Sequence, residues 1–78
     1  MTIHVRDDWR YDLSISPFEG KFHWNVVRLK IDPARASQTA YGTWIAGGIA
    51  LTRDEAEREG LAVIDHDFHM LAEPNTSA

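Results

Sequence analysis

The sequence predicts an α+β fold: a three-stranded antiparallel sheet in β-β-β-α order, with one C-terminal helix packed across one face. Three observations carry that expectation. Residues Trp9 to Ser16 alternate apolar and polar, the period of a half-buried strand. A proline and a glycine within Pro17–Lys21 separate that run from a second one rich in aromatic and β-branched residues, as in a hairpin. Near the C-terminus, Thr52-Arg53-Asp54-Glu55 has the spacing of a helix-capping box and precedes an apolar stripe of helical period.

In the first expected strand Trp9, Tyr11, Leu13 and Ile15 share one face, and Arg10, Asp12, Ser14 and Ser16 the other. The second, Phe22 to Ile31, changes its apolar phase from Phe22, Trp24 and Val26 to Val27, Leu29 and Ile31. A bulge near Val26-Val27, or apolar groups on both faces, accounts for the change. Asp32-Pro33 ends the run, and Ala34 to Ala40 reads as a polar, mobile loop. Tyr41 to Leu51 is the third expected strand, with Gly47-Gly48 marking a bulge or a close backbone approach. The helix starts at about Arg53 and turns Ala56, Gly60, Leu61, Val63, Ile64, Phe68 and Leu71 toward the sheet. Gly60 costs helix propensity but lets the helix approach a bulky strand residue, such as a tryptophan, closely.

Residues 1–72 read as a single domain and residues 73–78 as a disordered tail without apolar content to bury. A chain of 78 residues with no cysteine buries one modest core and has neither disulfides nor thiolate metal sites to reinforce it. Self-association is the remaining common route to stability. No apolar run reaches the length of a signal peptide or membrane span, which leads to the expectation of a cytoplasmic protein with no membrane partner. The net charge of −4 is uneven: six basic against five acidic side chains in residues 1–40, two against seven in residues 41–78. That balance disfavours broad attraction to nucleic-acid phosphates.

The chemistry-bearing residues are few. His66 and His69 stand three apart on the helix beside Asp65 and Asp67, but two imidazoles near a helix end fall short of the ligands a stable metal site needs, so no metal is assigned. Asp67 falls inside the apolar stripe, where burial raises a carboxylate pKa unless the helix frays one turn earlier or Arg10, Arg28 or His23 pairs with it. There is no cysteine nucleophile, no Gly-x-Ser-x-Gly elbow and no phosphate-binding glycine motif. The expectation is therefore a non-enzymatic module with no catalytic residues and no cofactor, the alternative in this region being a metal-binding protein or enzyme centred on Asp65, His66, Asp67 and His69 at the helix end.

Seven of the eight aromatic residues precede the helix, and one helix covers only one sheet face. Some aromatics are expected on the open face, interleaved with basic groups as an interaction surface, and Trp24, Arg28, Lys30 and Trp44 are the residues assigned to it. The expected partner is a second copy of the chain or another protein. A nucleic-acid module using Arg10, Arg28, Lys30 and Arg35 on the same face is the alternative that the net charge disfavours. The three-strand-plus-helix layout, with Trp24 in the second strand and the helix start Thr52-Arg53-Asp54-Glu55-Ala56, resembles DNA-binding domains of plant transcription factors and integrase arm-binding domains. That resemblance implies DNA reading by the open sheet face. The arginine-rich first strand of those families is represented here only by Arg10, opposed by Asp12.

Overall fold

In the computed structural model, residues 1–31 and 42–72 are described. They form four strands and a helix: β1 (Thr2–Arg6), β2 (Trp9–Phe18), β3 (Lys21–Lys30), β4 (Thr43–Ala50) and α1 (Arg53–Ala72). The strands lie in the order β1-β2-β3-β4, each antiparallel to its neighbour. The α+β class and the single C-terminal helix are as the sequence predicts, whereas the sheet has four strands instead of three. The additional strand is β1, whose five residues turn into β2 through Asp7-Asp8, with Asp7 at a φ of 51°. The expected loop over Ala34 to Ala40, Tyr41 of the third expected strand and the tail over 73–78 lie outside the described residues.

A two-residue turn sets the central hairpin. Glu19 and Gly20 have φ values of 49° and 78°, the left-handed pair whose twist matches that of the flanking strands. The strands therefore run further toward the turn than the Pro17–Lys21 loop expected from sequence. Phe18 pairs with Lys21, and the register carries back through Ile15 opposite Trp24, Leu13 opposite Val26 and Tyr11 opposite Arg28. Because opposed residues share a face, Trp9, Tyr11, Leu13 and Ile15 lie together with Phe22, Trp24, Val26, Arg28 and Lys30.

That is the face α1 covers, packing over β2, β3 and β4. The Thr52 hydroxyl accepts a hydrogen bond from the Glu55 amide at 3.1 Å and starts the helix as the sequence predicts. Tyr11, Leu13, Trp24, Val26, Ala50, Ala56 and Ile64 form the buried core. Complete burial of Leu13, Val26 and Ile64 contributes roughly 1.5–3 kcal/mol each. Gly60 does allow close approach, but to Leu13: a Cβ there would land on Leu13 Cδ1, with Cγ at 3.3 Å. Trp24 instead lies on Gly48, where a Cβ would stand 3.0 Å from three atoms of the indole.

The register break expected near Val26-Val27 falls between those residues, but only in the pairing with β4. Val26 opposes Ala46 and Val27 opposes Trp44, so the extra residue is Ile45 in β4 and β3 itself runs on unbroken beside β2. The apolar phase change in β3 thus reflects apolar groups on both faces. The described residues form a slab of one sheet and one helix layer. Among the described residues no helix is long and apolar enough to cross a membrane.

Candidate functional site

Polar chemistry on the helix-covered side gathers around Asp67. Its Oδ2 accepts from the Tyr11 hydroxyl at 2.7 Å and from Arg28 Nη1 at 2.8 Å. The network is half-buried, with side-chain exposures of 20% for Arg28 and 19% for Asp67. Arg28 also lies over the Trp9 ring, its Cζ 4.9 Å from the centroid, and Lys30 Nζ lies 4.7 Å from the same centroid. Burial, followed by the bond to the Asp67 carboxylate, pushes the Tyr11 phenol pKa well above its ordinary value. Arg28 Nε is buried and has no hydrogen-bond partner. The pairing foreseen for Asp67 thus falls to Arg28, with Tyr11 as a further donor that the sequence did not single out.

This arrangement is a clamp between helix and sheet. Every hydrogen-bonding group at Asp67 Oδ2 belongs to another secondary-structure element, so the bonds fix the last turns of α1 over β2 and β3. The nearby Arg6–Asp65 pair is looser, at 3.5 Å with Asp65 70% exposed. His66 and His69 are exposed, and among the described residues no three His, Cys, Asp or Glu side chains stand together as metal ligands. A recess between β1, β2 and the helix start, lined by Met1, Thr2, Leu13, Ile15, Arg53 and Glu57, holds about 70 Å³, room for a few water molecules.

The opposite sheet face has a different character. Antiparallel pairing arranges it in rows: Val5, Arg10 and Leu29 in one, and Ile3, Asp12, Val27 and Trp44 in the next. A further row holds Ser16, His23 and Ile49. Ile3, Val5, Trp44 and Ile49 are all more than half exposed. Trp44, 62% exposed, is nevertheless held in place: its Nε1 donates to Asn25 Oδ1 at 3.2 Å. Gly47 makes room for it, since a Cβ there would stand 3.3 Å from the indole and 2.7 Å from Asn25 Oδ1. At the centre, Arg10 grips Asp12 through two bonds of 2.8 and 3.2 Å.

The four residues assigned to one interaction face from sequence are therefore split. Trp24, Arg28 and Lys30 share the helix-covered face, Trp24 in the core and the two cations on Trp9, while Trp44 alone is on the open face. Of the basic groups expected on a nucleic-acid surface, Arg10 is on the open face, Arg28 and Lys30 are on the other, and Arg35 lies outside the described residues. The open-face residues missed were Ile3, Val5, Val27, Leu29 and Ile49. The alternation of Ile3 and Val5 with His4 and Arg6 was their available signal. Comparison with protein-family models, with curated proteins and with solved structures returns no match to this chain.

Proposed function

We propose that this chain is a small non-enzymatic protein-interaction module that docks through its open sheet face. The observation that carries the reading is the set of exposed apolar side chains there, Ile3 and Val5 on β1 and Trp44 and Ile49 on β4, with half-buried Val27 and Leu29 between them. Single exposed apolar residues are ordinary, whereas several on one sheet face, gathered around a single neutralised ion pair, favour an interaction surface. Trp44 supports the reading further, because its bond to Asn25 orders a large aromatic before any partner arrives and lowers the entropy cost of docking.

A protein partner fits this face better than nucleic acid. Its central cation, Arg10, is neutralised by Asp12, and Arg28 is committed to Asp67 on the other side. The test is the solution mass of the full chain by light scattering, for the wild type and for Trp44→Glu. The expected result is a mass above that of the 8.9 kDa monomer, insensitive to salt, that falls to the monomer value in the variant while the circular dichroism stays unchanged. An assembly that persists in Trp44→Glu would show that another surface is used.

A further inference from the structure

We infer that the occupant of the open face is a second copy of this chain, placed by a two-fold axis that runs across the strands between the Arg10 and Asp12 rows. The inference rests on the open-face reading above and adds to it the partner and its geometry. It starts from the charge pattern. Arg10 and Asp12 are two residues apart on a central strand and point to the same open face; along β2 their backbone positions are about 7 Å apart, and the side chains lean together into one ion pair, positive from the one row and negative from the next.

Closed dimers are built on a two-fold axis, and each patch must then be complementary to itself. An axis along the strands through β2 would put Arg10 against Arg10 and Asp12 against Asp12. An axis across the strands at the level of either residue would also oppose like charges. Between the two rows, however, a crossing axis exchanges them, and Arg10 of each copy meets Asp12 of the other. The two internal ion pairs then close into a ring of four alternating charges, so no charge is buried without a partner.

The apolar groups obey the same operator. The row Val5–Arg10–Leu29 exchanges with the row Ile3–Asp12–Val27–Trp44. Ile3 therefore faces Val5 of the second copy and Val27 faces its Leu29. Trp44, leaning onto Asn25, comes over the second copy's Leu29 and Ile31, the latter also exposed. One placement thus satisfies the charges and the apolar rows together, with the two sheets packed face to face at about 10 Å. The overlap, about 20 Å across four strands and about 23 Å along them, covers roughly 450 Å² per copy, near the low end of specific interfaces. The dimer is accordingly concentration-dependent.

The experiment is sedimentation of the full chain over a concentration series, using Arg10→Asp and Asp12→Arg separately and mixed, with Trp44→Glu alongside and circular dichroism on each. Either charge reversal makes the pair on one copy like-charged and opposes like charges across the axis, and is expected to weaken self-association at least about tenfold. Mixing the two variants puts acid opposite base at every crossing and restores a one-to-one dimer. This readout does not depend on repairing the internal Arg10–Asp12 pair, which stays broken in both chains.

Failure of the mixture to associate, with each variant monomeric and folded, would overturn the proposed axis. If Trp44→Glu still abolishes wild-type self-association in that case, the open-face reading stands and only the geometry falls. A wild-type dimer indifferent to Trp44→Glu would bring down the open-face reading itself. A wild-type chain that stays monomeric at every concentration would overturn the second copy as occupant and leave the face to a different protein.

Discussion

Replacing Asp67 with alanine removes two hydrogen bonds that join the last turns of α1 to the sheet. The Tyr11 hydroxyl, on a residue with no exposed surface, loses its acceptor, and Arg28, whose Nε is already without a partner, loses its counter-charge. Hydrogen bonds to charged groups are worth about 1.5–3 kcal/mol each. With roughly a fifth of each side chain in the Asp67–Arg28 pair open to water, solvent recovers part of that, and a net loss of about 3 kcal/mol is expected. In a domain of this size that corresponds to a fall in Tm of about 10–25 °C. Asp65→Ala is the reference: it brings the same gain in helix propensity but breaks only the exposed 3.5 Å contact with Arg6, worth within about 0.5 kcal/mol. Asp67→Asn, which keeps an acceptor for Tyr11 but not the charge facing Arg28, should fall between the two. Thermal unfolding followed by circular dichroism measures all three. Equal, small shifts for Asp67→Ala and Asp65→Ala would refute the claim that this clamp holds the helix.

Gly60→Ala sets about 1 kcal/mol of helix propensity against an added methyl that meets three atoms of the buried Leu13 side chain, an overpacking cost of about 1–3 kcal/mol. A net destabilisation is expected, measured by urea unfolding and relieved when Leu13→Val is added; a more stable Gly60→Ala would show that the helix stands further from β2 than described. The pH dependence follows from Tyr11. Its phenol titrates higher in the folded chain than in the unfolded one, so the stabilisation is complete below about pH 10, where the unfolded phenol is also protonated. It is lost as pH rises beyond that, because unfolding then releases a proton. Denaturation midpoints that hold steady from neutral pH to well above 10 in the wild type, matching those of Tyr11→Phe, would contradict this.

How much of this was legible in the sequence depends on which signal fixes each feature. The β2 alternation, the helix start at Thr52 and the inward stripe of α1 rest on local periodicity and capping, and Asp67 inside that stripe was visible as a carboxylate needing a partner. Strand β1 was not visible, because five residues carrying His4 and Arg6, followed by Asp7-Asp8 instead of glycine or asparagine-glycine, give a weak strand and turn signal. The choice of Trp24 for the open face failed for a related reason. With the hairpin loop read as Pro17–Lys21 the register is free, but a two-residue turn at Glu19-Gly20 places Ile15 opposite Trp24. Opposed residues share a face, so the turn alone commits Trp24 to the helix-covered face with Trp9, Tyr11 and Leu13.

The same logic, with the opposite sign, puts Trp44 outside. Ala46 opposes Val26 on the helix-covered side, and in an unbroken strand Trp44, two residues earlier, would point the same way. Ile45 is the inserted residue that prevents this. It is half-buried and packs against the core, so Ile45 and Ala46 both turn inward while Trp44 moves to the open face opposite Val27. The bulge therefore does two things at once: it packs an isoleucine against the small core and places an indole on the open face. Pairing the same sequence without the bulge would put Ile45 opposite Val27 and turn Trp44 toward the helix-covered side, whereas deleting Ile45 would leave Trp44 opposite Val27 and cost only the isoleucine's packing. The bulge in β4 thus leaves Trp44 on the open face while the β2–β3 register holds Trp24 in the core.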